Sequence, residues 1–62
     1  MPIYTITLWN RDGGVHERRS VHAEDDDGAI DIAREIKHQD AIDIDAGERH
    51  VARLPPWSWR FN

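Results

Sequence analysis

The stretch from residue 25 to residue 37, DDDGAIDIAREIK, predicts the one helix around which the rest of the chain is arranged. Asp25 suits the N-cap, because its carboxylate can accept hydrogen bonds from free backbone N–H groups. Asp26 and Asp27 place negative charge at the positive end of the helix dipole. Apolar residues then recur at helical spacing at Ala29, Ile32, Ala33 and Ile36. We therefore expect a helix over 26–37 that buries this stripe and leaves Ile30, about 100° away from it, half exposed.

A β-hairpin is predicted before the helix. Residues 4–9 alternate cleanly, so that Tyr4, Ile6 and Leu8 share one face of a strand. Residues 10–14, Asn-Arg-Asp-Gly-Gly, are typical of a turn. The segment 15–23 returns as a polar strand in which Val21 is the main apolar residue.

A second hairpin is predicted after the helix. Residues 41–45 alternate, Ala46-Gly47 is a tight turn, and 48–54 forms the last strand. The facing of that strand stays open, because both of its alternating sets mix polar and apolar residues. Pro55 and Pro56 end it, since neither can donate to a strand ladder.

Together these elements predict an α+β fold. A single ββαββ domain spans 1–54, with one helix packed on a four-stranded, mainly antiparallel sheet, and a Pro/Trp-rich tail follows at 55–62. The sheet face away from the helix carries Thr5, Thr7, Asp43 and Asp45, which can meet water. The predicted core consists of Tyr4, Ile6, Leu8, Val21, Ala29, Ile32, Ala33, Ile36, Ile42 and Ile44.

Length and composition limit the classes of function. The chain has 62 residues, of which 39% are hydrophobic and 32% charged, and it contains no cysteine. It offers no thiolate, no transmembrane segment and no signal peptide, so we expect a cytoplasmic protein. A domain this short rarely encloses a catalytic pocket. We therefore predict a protein that is not an enzyme and that uses no cofactor.

The net charge of −4 is unevenly distributed. Residues 24–45 hold nine acidic side chains against Arg34 and Lys37, whereas the segments on either side carry a small positive excess. Direct nucleic-acid binding through this acidic part is disfavoured, because phosphate binding requires Lys and Arg.

Several segments together resemble a group of short, uncharacterised proteobacterial ββαββ proteins. They are Tyr4–Trp9, the Asp-Gly-Gly turn at 12–14, the stretch AEDDDGAIDIAR at 23–34 and VARL at 51–54. That resemblance implies the fold and no activity. The acidic cap followed by Ala-Ile-Asp-Ile-Ala is also similar to the helix of HicB-type antitoxins.

Two candidate partner-binding surfaces follow. The first is acidic and consists of Asp27, Asp31, Glu35, Asp43 and Asp45. Alternatively, Asp27 could simply cap the helix together with Asp25 and Asp26, and the other four could be solvated residues that keep the domain soluble. The second is the aromatic tail, with Trp57, Trp59, Arg60 and Phe61. The tail could anchor a partner or a second copy, or it could fold back over Trp9, Ile3 or Ile30. A third alternative is that single-stranded nucleic acid stacks on Trp57 and Trp59, near Arg49, Arg53 and Arg60.

The histidines predict no metal site. His16 and His22 share a strand face but lie about 20 Å apart, and a zinc site would require the fold to bring other pairs together. The acidic stretch also lacks the spacing of a calcium loop.

The function predicted from the sequence is that of a small acidic, non-catalytic module that binds a protein partner and inhibits or regulates it. One alternative is a nucleic-acid mimic, anti-CRISPR-like or antitoxin-like, that blocks a basic groove. The other is a structural subunit or homodimer that associates through its sheet edges.

Overall fold

The computed structural model describes residues 2–56. These residues form the predicted ββαββ fold, with strands β1 (Ile3–Trp9) and β2 (Val15–His22), helix α1 (Asp26–Arg34), and strands β3 (Ile42–Ala46) and β4 (Arg49–Leu54). The strand order is β2-β1-β3-β4, and all neighbouring strands are antiparallel. Within 2–56, no helix has the length and apolar content needed to cross a membrane.

The core lies between α1 and the two central strands. Ile6 pairs with Ile44 and Leu8 with Ile42 across the β1–β3 ladder, and all four side chains are buried. Ala29 and Ala33 are small enough to bring the helix close to the sheet, and both are fully buried. Val21 and Ile36 are only partly buried, whereas Ala23 and Leu54 join the core without having been predicted.

The N-terminal end of the helix is as predicted. Asp25 is the N-cap, has an extended backbone, and its carboxylate accepts a hydrogen bond of 2.8 Å from the Gly28 N–H. The predicted C-terminal end, Lys37, is wrong, because α1 ends at Arg34. From Glu35 onward the N–H groups bond to carbonyls nearer in sequence than the α-helical partner, as in Glu35 to Ile32 and Ile36 to Ala33. This tighter turn leads the chain toward the end of β1.

The prediction that Ile32 lies in the core is also wrong. Ile32 remains 37% exposed, whereas Ile30 packs against the core. Asp26 and Ile30 are i, i+4 neighbours on one flank of α1, and the Asp26 carboxylate binds Arg49 of β4. The ion pair lies on the same flank as Ile30, which faces the sheet, whereas the Ile32 flank faces outward.

A β-bulge in β4 explains why its alternation was ambiguous. Ile44 pairs with Ala52 and the next residue, Asp45, pairs with His50, so Val51 is the extra residue. The bulge places His50 and Arg53 on the face away from α1, and it leaves Arg49 on the helix side. Polar residues therefore occur on both faces of one strand.

Candidate functional site

A first polar cluster ties α1 to the sheet. The Asp26 carboxylate accepts hydrogen bonds from Nη1 and Nη2 of Arg49 at 2.9 and 3.0 Å, and from the Tyr4 hydroxyl at 2.9 Å. These bonds lower the pKa of Asp26 to about 2, with the Arg49 guanidinium as the main cause and the Tyr4 hydroxyl as the second. Burial and the bond to Asp26 raise the pKa of Tyr4. The cluster orients the helix on strands from both ends of the chain.

This geometry predicts a pH-dependent stabilisation. A carboxyl whose folded pKa is about 2, against about 3.9 unfolded, stabilises the fold above pH 4 and loses that effect as the pH falls through 2. We therefore expect the difference in urea midpoint between wild type and Asp26→Asn to be largest at pH 5 to 7 and to decrease steadily as the pH falls from 4 to 2. Asp27→Asn is the matched control, and an Asp26→Asn difference that is as large at pH 2 as at pH 6 would contradict the assignment.

A second polar cluster lies on the sheet face opposite α1. The Asp43 carboxylate accepts hydrogen bonds from the Trp9 indole N–H at 2.8 Å and from Nε and Nη2 of Arg53 at 2.9 and 3.0 Å. The His50 ring nitrogen Nε2 lies 3.3 Å from the same carboxylate. We call Trp9, Asp43, His50 and Arg53 the Asp43 cluster.

The prediction that Asp43 is a solvated carboxylate is wrong. Asp43 is only 8% exposed, and the bond from Arg53 lowers its pKa against the opposing effect of burial. Thr7, also expected to meet water, is buried, because the strand register places it between Arg18 and Asp43. The charge on Asp43 is consequently satisfied within the domain.

The outward side of the helix carries three of the predicted acidic residues. Asp27 and Asp31 lie on α1 one four-residue step apart, about 6 Å along the axis, Glu35 follows as the C-cap residue, and all three are exposed. They project opposite to the buried Ala29 and Ala33. Among residues 2–56 the ion pair found on this row is a loose one, 3.8 Å between Asp31 and Arg34. We call Asp27, Asp31 and Glu35 the acidic helix face.

The five predicted acidic residues therefore do not form one surface. Ile42 and Ile44 point into the core beneath α1, so alternation directs Asp43 and Asp45 to the other side of the sheet. Asp45 is half-buried there opposite His50. Only the three helix residues remain as a continuous acidic row.

An open cleft of about 350 Å³ lies at the end of the sheet, beside the Asp43 cluster. Its walls come from the end of β1, the first hairpin turn, the approach to β3 and the end of β4. They include Trp9, Arg11, Asp40, Ala41, Arg53 and Pro56. We call it the Trp9 cleft.

The fold brings together two histidines that are distant in sequence. The rings of His16 and His38 stack with centroids 5.4 Å apart, and Nε2 of His38 lies 2.6 Å from the Trp9 carbonyl oxygen. His16 occupies a bulge in β2, where Leu8 pairs with Glu17 and Trp9 with Val15. In the described part of the chain no three His, Cys, Asp or Glu side chains are placed to hold a metal ion.

The tail residues Trp57, Trp59, Arg60 and Phe61 lie outside the described residues. The sequence did not predict the contacts of Arg49 with Asp26, or those of His50 and Arg53 with Asp43. His50 and Arg53 are three residues apart, a spacing that puts them on opposite faces of a regular strand but on the same face when the strand contains a bulge.

No protein-family model matches this chain, and no curated protein or solved structure is significantly similar to it. The resemblances to proteobacterial ββαββ proteins and to the HicB helix therefore stay predictions.

Proposed function

We propose that this protein is a small, non-catalytic, cytoplasmic binding module that uses the acidic helix face to engage a basic surface on a partner protein. The proposal rests on the difference between the carboxylates that are paired within the domain and those that are exposed. Asp26 and Asp43 are each bound by an arginine within the domain, whereas Asp27, Asp31 and Glu35 stand in a row on the outside.

The frame beneath that row supports the same interpretation. Asp25 caps the helix, and the hydrogen bonds of Asp26 with Tyr4 and Arg49 attach its first turn to β1 and β4. The three carboxylates are therefore presented at fixed spacing by a helix that need not order itself on binding. Preorganisation of this kind reduces the entropy cost of association.

The test is affinity capture from the source cell followed by measurement of the affinity for the captured protein. The variant Asp27→Asn/Asp31→Asn/Glu35→Gln should weaken binding about tenfold, since three exposed charges contribute about 0.5 kcal/mol each. The control Glu24→Gln/Asp45→Asn/Glu48→Gln removes the same charge elsewhere and should change affinity less than about twofold.

Salt dependence provides an independent measurement. Affinity should fall steeply between 50 and 300 mM salt, because exposed charge pairs are screened over this range. Equal loss of affinity in the two triple variants, or affinity independent of salt, would contradict the proposal. Failure to capture any protein at low salt would contradict it as well.

The regular spacing of the row favours one specific form of this function, inhibition by imitation of nucleic acid. Successive carboxylates on and just after a capped helix present repeated negative charge to a basic groove, as a phosphate backbone does. In that case wild type, but not the helix-face variant, should displace a DNA or RNA oligonucleotide from the captured protein. Simultaneous binding of oligonucleotide and wild type would exclude mimicry and leave protein binding intact.

A further inference from the structure

One wall of the Trp9 cleft consists of two flat side chains that are held in place. The Asp43 carboxylate accepts the indole N–H of Trp9 on one oxygen and the guanidinium of Arg53 on both. One buried carboxylate therefore orients both groups at the edge of the cleft. Aromatic rings stack on indole rings and against guanidinium groups. This wall suits a ligand that contains a flat ring.

Two charged side chains of opposite sign also line the cleft. Arg11 lies in the turn between β1 and β2, and Asp40 lies in the approach to β3. Within residues 2–56 neither side chain has an ion pair or a hydrogen bond, although Asp40 is half-buried. A carboxylate that is partly desolvated without a partner carries a cost in free energy, and a cationic group of a ligand would offset it.

These charges match a ligand that carries one charge of each sign. Arg53 is already paired with Asp43, so the charges left to contact a ligand are the guanidinium of Arg11 and the carboxylate of Asp40. A purely anionic ligand, such as a nucleotide, would place like charge against Asp40, which disfavours it. An α-amino acid carries both an ammonium group and a carboxylate and has no such conflict.

The size of the cleft agrees with a ligand of this class. Its volume of about 350 Å³ lies at the lower end of the range for small-molecule sites. A single amino acid with a flat side chain is among the smaller ligands that such a site can take.

We propose that the Trp9 cleft binds a free aromatic α-amino acid. The ring of the ligand lies against the Trp9 indole. Its carboxylate pairs with Arg11, and its ammonium group pairs with Asp40. The cleft lies at the end of the sheet, whereas the acidic helix face lies on the outside of α1. This binding is therefore independent of the partner proposed for the helix.

The test uses the full chain, with tryptophan as the probe in nitrogen-15 NMR titrations. The Trp9 indole N–H and the Arg53 Nε–H resonances should shift and saturate with a Kd of about 1 mM, the affinity that a ligand of this size gains in an open cleft. Glycine has both charges and no ring, and it should cause no saturating shift over the same range of concentrations.

Two analogues with a single charge separate the charge contacts. Indole-3-propionate keeps the carboxylate and lacks the ammonium group, whereas tryptamine keeps the ammonium group and lacks the carboxylate. Arg11→Gln should weaken the binding of tryptophan and indole-3-propionate about two- to fivefold, as loss of one exposed ion pair does, and should not weaken tryptamine. Asp40→Asn should weaken tryptophan and tryptamine by a similar factor and should not weaken indole-3-propionate.

Matched variants control for the change in net charge. Lys37→Gln and Glu48→Gln remove the same charges from exposed positions outside the cleft lining, and each should change the affinity for tryptophan by less than about twofold.

Three results would overturn the proposal. The first is the absence of tryptophan-induced shifts at Trp9 and Arg53. The second is binding of glycine as tight as that of tryptophan, which would show that the ring makes no contact. The third is an equal effect of each cleft variant on all three indole ligands, which would show that Arg11 and Asp40 do not pair with the charged groups of the ligand. None of these results bears on binding through the acidic helix face.

Discussion

The Ile44→Ala variant is expected to be largely unfolded at 25 °C. Ile44 is completely buried between the central strands and α1, opposite Ile6. Removing a buried isoleucine side chain costs about 2–5 kcal/mol, and a domain of this size is stable by only about 3–5 kcal/mol. Circular dichroism and urea titration should therefore show loss of the cooperative transition or a midpoint close to zero.

The chain contains its own matched control. Ile32→Ala makes the same chemical change on a residue that is 37% exposed, and it replaces a β-branched residue by the best helix former. We expect a cost of about 1 kcal/mol or less. Equal destabilisation by the two variants would show that the helix packs through Ile32, contrary to an orientation in which Ile30 faces the core and Ile32 faces outward.

The Asp43→Ala variant is expected to lose about 1–3 kcal/mol of stability. The change removes the acceptor of the Trp9 indole N–H and of the Arg53 guanidinium. The exposed Arg53 side chain can be hydrated again, whereas the half-buried indole has fewer alternatives. Asp45→Ala is the control on the same strand and sheet face, and it should change the unfolding free energy by no more than about 0.5 kcal/mol.

The pH dependence of the Asp43 effect has a defined sign. Arg53 lowers the pKa of Asp43 in the folded state, so the carboxylate stabilises the fold above its unfolded pKa of about 3.9. The difference between wild type and Asp43→Ala should be complete near neutral pH and should decrease as the pH falls below 4. A difference that grows on acidification would contradict the ion pair with Arg53.

The two carboxylates that bind arginines stabilise the fold, whereas the exposed carboxylates of the acidic helix face are available at the surface. On the helix side of the sheet, Asp26 binds Tyr4 and Arg49. On the other side, Asp43 binds the Trp9 indole. Substitutions at these positions should first reduce stability. Substitutions at Asp27, Asp31 and Glu35 should first reduce binding, and this separation makes the proposed function testable without unfolding the domain.

Much of the fold could be predicted from local patterns. Alternation identified β1 and β3, the acidic cap located the first residue of the helix, and the glycine turns located both hairpins. Gly47, with φ of 63°, occupies the left-handed region that the β3–β4 turn requires. Each of these signals depends on residues within a few positions of each other.

The errors concern contacts between distant segments. Which of Ile30 and Ile32 packs against the sheet follows from how α1 sits on distant strands, and the Asp26–Arg49 pair on the Ile30 flank joins residues 23 positions apart. Alternation alone places Asp43 and Asp45 on the sheet face away from the helix, so grouping them with the helix carboxylates in one acidic surface was wrong. The buried state of Asp43 could not be predicted without its partners on β1 and β4.

The order of the elements, the acidic first turn of the helix and the buried faces of β1 and β3 were determined by the sequence alone, because backbone periodicity and capping are local properties. The rotation of α1, the bulge at Val51 and the internal neutralisation of Asp26 and Asp43 were decided only by the tertiary structure. These features arise when charged groups are desolvated by packing and must find partners elsewhere in the chain. That pairing decides which carboxylates stay exposed.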